Sequence, residues 1–113
     1  MQSLSSALPS GYSAVAPGHV ASVVTCLEMN ARPLLRPAQP FPPGVSLQRW
    51  ERPDVGTYRT LFRAVGEDWL WFSRLIMADQ DLRTILNDPL VEIYALRRPG
   101  TDIGILELDF RQA

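Results

Sequence analysis

The sequence predicts one small α+β domain that follows an extension of different composition. Three segments, near residues 45–50, 90–96 and 103–110, alternate apolar with polar residues, which is typical of strands with one buried face. Between the first two of them, apolar residues recur at three- and four-residue steps in two stretches, which indicates two helices. The predicted core is therefore a strand, two helices and two further strands, in the order β-α-α-β-β, with an N-terminal extension.

Composition and charge exclude several function classes. Hydrophobic residues make up 46% of the chain and charged residues 20%, the balance of a folded globular domain. The formal net charge is -1 and basic residues are not clustered, so nucleic acid is not an expected partner. We predict neither a membrane span nor a secretory signal, because no long apolar run is present. The single cysteine, Cys26, favours a reducing compartment, and we expect a cytoplasmic protein.

The extension covers residues 1–43 and holds seven of the ten prolines. Residues 1–18 are rich in Ser, Ala, Pro and Gly, and we expect them to be disordered. Residues 19–43 combine a possible edge strand, from His19 to Met29, with a proline-rich tether. His19 is expected to have no chemical role. The domain proper is predicted to span residues 44–113.

The first core strand is predicted at Val45 to Trp50, and a helix follows it. Asp54 stands at the N-cap position of that helix, and Gly66 is predicted to end it as a left-handed C-cap. Arg59 and Arg63 lie four residues apart on its outer face and are expected to be solvated. The inward face consists of five apolar residues: Val55, Tyr58, Leu61, Phe62 and Val65.

A second helix and a β-hairpin complete the predicted core. The helix is expected to begin at Asp79 as its cap and to end before Pro89, since a residue that precedes proline leaves the helical region. Pro99 and Gly100 suit the central positions of a type II turn between the last two strands. One face of the last strand then carries Gly104, Leu106, Leu108 and Phe110, and the other carries Ile103, Ile105, Glu107 and Asp109.

The segment Glu67 to Phe72 is dense in aromatic residues and lies between the two predicted helices. In one interpretation Trp69, Trp71 and Phe72 anchor the loop in the core, as aromatic residues of small domains usually do. In the other interpretation they form the wall of a pocket, together with the carboxylates Glu67 and Asp68.

Several stretches, GVSLQRWERP, YRTLFRAVGEDWLWFSR, DLRTILNDPLVEIYALRRPG and IGILELDF, resemble a bacterial branch of the GNAT superfamily of N-acetyltransferases. The resemblance covers about seventy residues, 44–113, and the CLEMNARP segment extends it back to Thr25. It implies the N-terminal, acceptor-side half of that acyl-CoA N-acyltransferase fold, and therefore an incomplete GNAT-like fold. The family binds the pyrophosphate of acetyl-CoA with an Arg/Gln-x-x-Gly-x-Gly/Ala loop, and this sequence contains no Gly-x-Gly. We therefore expect the chain alone to be inactive, as a fragment of a longer enzyme or a product without its catalytic half.

The resemblance implies transfer of an acetyl group from acetyl-CoA, the co-substrate, to an amine acceptor, either a small molecule or a peptide. By analogy with the family, the acceptor side is formed by Glu67, Asp68, Trp69 and Trp71. Weaker candidates for proton transfer are Glu107, Asp109 and Tyr94. The carboxylates of this second set can equally belong to a solvated strand face, and Tyr94 can equally be a packed core residue.

Two alternatives from other classes remain open. The chain can be a non-catalytic interaction module that binds another protein by strand addition, or an unrelated small α+β domain. In the first case, and also in a truncated enzyme, the last predicted strand has an unpaired edge that carries Leu106, Leu108 and Phe110. We expect such an edge to favour self-association.

Overall fold

A computed structural model describes residues 8–112. The chain falls into two units, Met1–Arg36 and Pro37–Ala113. In the first unit, residues 8–36 form no helix and no strand, and the side chains of Val20, Val23 and Leu27 are exposed. The strand predicted from His19 to Met29 is therefore not formed, because β-branched residues need a hydrogen-bonded partner strand and none pairs with them in the described residues. The predicted disorder of residues 1–18 lies partly outside the described residues.

The second unit has the predicted α+β architecture. Its antiparallel sheet has the order β1-β2-β3 and consists of β1 (Ser46–Trp50), β2 (Val91–Arg98) and β3 (Thr101–Asp109). The helices α1 (Val55–Gly66), α2 (Ser73–Ile76) and α3 (Asp79–Leu86) connect β1 to β2, and a 3-10 turn, Glu67–Trp69, follows α1. The sequence did not predict α2, because a single helical turn is too short to show a period.

Helix α1 begins as the sequence predicts. The Asp54 carboxylate accepts hydrogen bonds from the Thr57 backbone N–H at 2.7 Å and from the Thr57 hydroxyl at 2.8 Å, and these bonds lower the pKa of Asp54. The predicted C-cap is wrong. Gly66 is the last helical residue, with φ of -108°, and the left-handed position is Leu70, with φ of 60°.

Helix α3 begins at the predicted residue but is capped differently. Asp79 is its first helical residue, and the N-cap is Ala78, which forms no side-chain hydrogen bond. The Asp79 carboxylate instead pairs with the Arg59 guanidinium, which also donates to the backbone carbonyls of Arg74 and Met77. The expectation that Arg59 is solvated is therefore wrong: its side chain is largely buried and joins α1 to the segment before α3. Arg63 is exposed, as predicted.

The core lies between the helices and one face of the sheet. The alternation predicted for β2 is confirmed, since Val91, Ile93 and Ala95 are buried. The remaining buried hydrophobic residues come from the helical layer: Tyr58, Leu61, Phe62, Met77, Leu82 and Leu86. The helices therefore leave the opposite face of the sheet uncovered, and we call this the open face.

The hairpin follows the predicted turn, because Gly100 has φ of 76° and lies between the paired residues Arg98 and Thr101. Residues directly opposite each other in an antiparallel pair share a face. Ile93 is opposite Glu107, so Glu107 belongs to the helix-covered face. Tyr94 is opposite Leu106, and both belong to the open face.

Candidate functional site

The turn between α1 and α2, residues 67–72, holds the four residues that the sequence proposes for the acceptor side. Helix α1 continues directly into the 3-10 turn, which ends when the Leu70 N–H donates to the Glu67 carbonyl at 3.1 Å. The Trp71 N–H then donates to the Gly66 carbonyl at 3.0 Å. These bonds fix the backbone of the turn and place Glu67, Asp68, Trp69 and Trp71 on one short segment. We call this segment the aromatic turn.

The aromatic rings of this turn are not all buried in the core. Trp69 is 76% exposed and Trp71 is 44% exposed, and Phe72 is also exposed. The interpretation of these rings as core anchors is therefore wrong for Trp69. Trp71 is partly packed, because its ring lies 5.6 Å from the Phe62 ring, centroid to centroid, at an interplanar angle of 48°. The Trp71 indole thus packs against Phe62, and the Trp69 indole extends into solvent.

Gly66 explains why Trp71 can pack in this way. A Cβ atom at position 66 would lie 2.5 Å from the Cβ and ring atoms of Trp71, well inside van der Waals contact. Glycine is therefore required here by the close approach of a ring and not by a left-handed backbone. The conformation of the aromatic turn depends on this one missing side chain.

Two exposed carboxylates precede the indoles. Glu67 and Asp68 are both exposed, and neither forms an ion pair with a residue in the described range 8–112. An aromatic face attracts a cation within about 6 Å of the ring centroid, and carboxylates add charge-assisted hydrogen bonds. The chemistry of the aromatic turn therefore suits a protonated amine.

Glu107, a weaker candidate from the sequence, lies in a different place and is already bonded. Its Oε2 accepts a hydrogen bond from the Tyr58 hydroxyl at 2.6 Å, and its Oε1 accepts one from the Arg74 Nη2 at 2.7 Å. The side chains of Arg74 and Glu107 are 18% and 22% exposed. Burial and the neighbouring carboxylate raise the pKa of Tyr58. Of the two interpretations of Glu107, the solvated strand face is wrong. We call Tyr58, Arg74 and Glu107 the inner cluster.

The other two candidates also have partners within the chain. Tyr94 is half-buried on the open face and donates to the Glu92 carboxylate at 2.6 Å, which raises the pKa of Tyr94. Arg111 donates to the Asp109 carboxylate at 2.7 and 2.9 Å and lowers the pKa of Asp109 to about 2. Glu107 and Asp109 lie on the helix-covered face of β3, opposite Ile93 and Val91, and Tyr94 lies on the open face, so the three candidates do not converge on one place. The four residues of the aromatic turn are close together because they are neighbours in sequence.

Two surface clefts are lined by residues that the sequence did not single out. One, of about 400 Å³, lies beside α1 and is lined by Trp50, Thr57, Thr60 and Asp102 among others. The Asp102 Oδ1 is buried there and 2.8 Å from the Arg97 Nε, without an aligned hydrogen bond. The sequence did contain a signal for this cleft. Small or polar residues recur at helical spacing along a second side of α1, at Thr57, Thr60 and Ala64. A cleft of about 470 Å³ lies between the end of β1 and the end of α3.

The N-termini of α1 and α3 do not suit a pyrophosphate group. The Asp54 carboxylate caps α1, and Asp79 and Asp81 lie in the first turn of α3. Helix N-termini attract anions, but these positions are already supplied with negative charge. These two helix N-termini are therefore not open anion sites.

Residues 8–112 contain no cluster of three or more histidine, cysteine or carboxylate side chains arranged to hold a metal ion. Within the same range, no helix has the length and apolar character needed to cross a bilayer. No protein-family model, curated protein or solved structure matches this chain.

Proposed function

We propose that the aromatic turn binds a protonated amine and that this chain supplies the acceptor side of an N-acetyltransferase. The observation that carries the proposal is the juxtaposition of two exposed indoles, Trp69 and Trp71, with two exposed carboxylates that have no ion-pair partner in residues 8–112. Exposed hydrophobic rings of this size are costly in water. Their placement beside unpaired negative charge is the arrangement that recognises alkylammonium groups.

The fold supports the same family. The resemblance implies a strand, two helices and a hairpin in one antiparallel sheet, and the order β1-β2-β3 is consistent with it. The proposal is restricted to acceptor binding, because the sequence contains no Gly-x-Gly of the kind that the family uses to bind the pyrophosphate of acetyl-CoA. Acetyl-CoA remains the co-substrate that the resemblance implies, and this chain by itself is expected to produce no acetylated amine.

The inner cluster is not the amine site in this proposal. Glu107 already accepts bonds from Tyr58 and Arg74, so an incoming ammonium would have to displace a guanidinium. Glu67 and Asp68 impose no such cost. The two carboxylates of the aromatic turn therefore provide the charge, and the indoles provide the contact area.

The three tryptophans allow a direct test by NMR. Each indole N–H gives one signal, and substitution to phenylalanine assigns Trp50, Trp69 and Trp71 in turn. We expect a diamine such as 1,5-diaminopentane to shift the Trp69 and Trp71 signals at millimolar concentration and to leave Trp50 unchanged. The doubly N-acetylated diamine has no charge and should shift none of them.

Charge variants sharpen the test. Replacing Glu67 and Asp68 together by Gln and Asn should weaken binding of the diamine about tenfold. Each exposed ion pair between a carboxylate and an ammonium group contributes about 0.7 kcal/mol. The matched control is Glu51→Gln, because Glu51 is also an exposed carboxylate in a loop but lies outside the aromatic turn. Equal loss in both variants, or a diamine that shifts all three indoles alike, contradicts the proposal.

A further inference from the structure

The outer edge of β3 is the longest unpaired strand edge in the described part of the domain. β3 has nine residues, Thr101–Asp109, and pairs only with β2, and no described strand lies on its other side. Alternate residues of an edge strand therefore direct their N–H and C=O groups outward without a strand partner. Such an edge is a template for the addition of another strand.

The charges on β3 do not protect this edge. Lone charges on an edge strand normally prevent strand addition, because pairing would bury or oppose them. Each carboxylate of β3 has an arginine partner within the same chain: Asp102 with Arg97 at 2.8 Å, Glu107 with Arg74 at 2.7 Å, and Asp109 with Arg111 at 2.7 Å. The strand therefore approaches electrical neutrality and offers little repulsion to an identical strand.

The opposite edge of the sheet is different. β1 has five residues, Ser46–Trp50, and lies between Pro43 and Pro53. Short strands and flanking prolines limit strand addition. The two edges are therefore unequal, and β3 is the one suited to a partner.

We infer that a second copy of this chain pairs with the edge of β3, in antiparallel orientation, about a two-fold axis at Leu106. Ile103 is an extra residue where the register with β2 shifts, because Leu96 is opposite Gly104 and Arg97 is opposite Asp102, so the regular part of β3 is Gly104–Asp109. With the axis at Leu106, residues opposite each other have numbers that sum to 212, so Leu106 lies opposite Leu106 and Ile105 opposite Glu107 of the partner copy. No two carboxylates lie directly opposite each other in this register, whereas an axis at Glu107 would oppose two like charges.

The apolar residues beside the edge favour the same partner. Leu106, Leu108 and Phe110 are exposed next to the edge, and Leu106 and Leu108 lie on the open face. In the paired arrangement the open faces of two copies form one surface, and the leucines of one strand approach those of the other. Burial of these side chains adds hydrophobic stabilisation to the main-chain hydrogen bonds.

The oligomeric state tests the inference with a matched pair of variants. We expect the full 113-residue chain to sediment as a concentration-dependent dimer in the presence of a reductant, which removes any disulfide through Cys26. Leu106→Lys should raise the dimer dissociation constant at least about tenfold, because two copies of the charge enter each interface. The control is Leu47→Lys on β1, since Leu47 is 40% exposed and Leu106 is 43% exposed on the same face. Circular dichroism establishes that both variants remain folded.

Amide hydrogen exchange distinguishes strand pairing from other contacts. In a paired dimer all internal amides of β3 should be protected, whereas in the Leu106→Lys monomer alternate amides should exchange rapidly. A wild-type chain that stays monomeric at millimolar concentration overturns the inference. It is equally overturned if Leu47→Lys dissociates the dimer as strongly as Leu106→Lys, because the open faces would then be stacked instead of the edges paired.

Discussion

The inner cluster and the aromatic turn combine carboxylates with aromatic residues in opposite ways. In the inner cluster, Glu107 receives hydrogen bonds from Tyr58 and Arg74 and is shielded from solvent. In the aromatic turn, Glu67 and Asp68 are exposed and form no ion pair in residues 8–112. A carboxylate whose bonds are satisfied inside the chain contributes to stability, and one whose bonds are unsatisfied is available to a ligand.

The largest expected effect is a loss of folding stability when a carboxylate of the inner cluster is removed. Glu107→Ala leaves the Arg74 guanidinium and the Tyr58 hydroxyl without their partner in a largely buried place. We expect it to lower the free energy of unfolding by about 2 kcal/mol, less than for a fully buried ion pair because both side chains keep some contact with water. Urea unfolding followed by circular dichroism measures the change.

The matched control is Glu67→Ala in the aromatic turn. An exposed carboxylate without an ion-pair partner should change the free energy of unfolding by less than about 0.5 kcal/mol. If the two variants lose equal stability, the distinction between a structural and an available carboxylate is wrong.

A second prediction concerns the glycine on which the aromatic turn depends. Gly66→Ala places a methyl group where Trp71 lies 2.5 Å away, so the turn must shift, at a cost of about 1.5 kcal/mol. Gly56→Ala, also in α1, meets only the Asp54 carboxylate at 3.4 Å and should be neutral or stabilising by up to about 1 kcal/mol. Thermal unfolding compares the two, and the indole signal of Trp71 should move only in Gly66→Ala.

An unchanged stability in Gly66→Ala would indicate that Trp71 is free to swing away. The indole would then lack support from Phe62, and the proposed amine site would not be preorganised.

The sequence predicted the features that depend on local pattern. The alternation of Val91, Ile93 and Ala95 indicated their burial because a strand has a period of two. The Asp54 cap was predicted because its partner, Thr57, is only three residues away. These are effects within one element, and they were confirmed.

The features that were missed depend on contacts between distant parts of the chain. The bond from Tyr58 to Glu107 joins residues 49 apart, and the partners of Arg59 lie 15 to 20 residues away. No periodicity reports such pairs, so Arg59 was expected to be solvated, and Glu107 was left between a candidate for proton transfer and a residue of a solvated strand face. Gly66 was misassigned for a different reason: its near neighbour in sequence, Trp71, comes close only after the turn has formed. For the candidate site, the sequence singled out the residues of the aromatic turn, but it did not predict that Trp69 is exposed.

The smallest expected effect is a loss of folding stability at alkaline pH, which tests whether the Tyr58 hydroxyl stays protonated in the folded chain. Burial, followed by the hydrogen bond to Glu107, raises the pKa of Tyr58 above its ordinary value of 10.0. In the unfolded chain Tyr58 ionises near pH 10, while in the folded chain it stays protonated, so the unfolded state loses protons first. Stability is therefore fully present below pH 10 and is lost as the pH rises, by about 0.7 kcal/mol between pH 9.5 and 10.5.

Tyr58→Phe removes this dependence, and the chain offers favourable conditions for the measurement because it contains no lysine to titrate in the same range. The variant should be less stable at pH 7 by about 1 kcal/mol, the net value of one hydrogen bond, but its stability should fall less steeply above pH 9.5 than that of the wild type. Tyr94→Phe is the control: Tyr94 also donates to a carboxylate, but it lies on the open face in contact with water. If both variants reduce the fall of stability above pH 9.5 equally, burial in the inner cluster is not what distinguishes Tyr58. The contrast between the largely buried inner cluster and the exposed aromatic turn would then have no electrostatic basis.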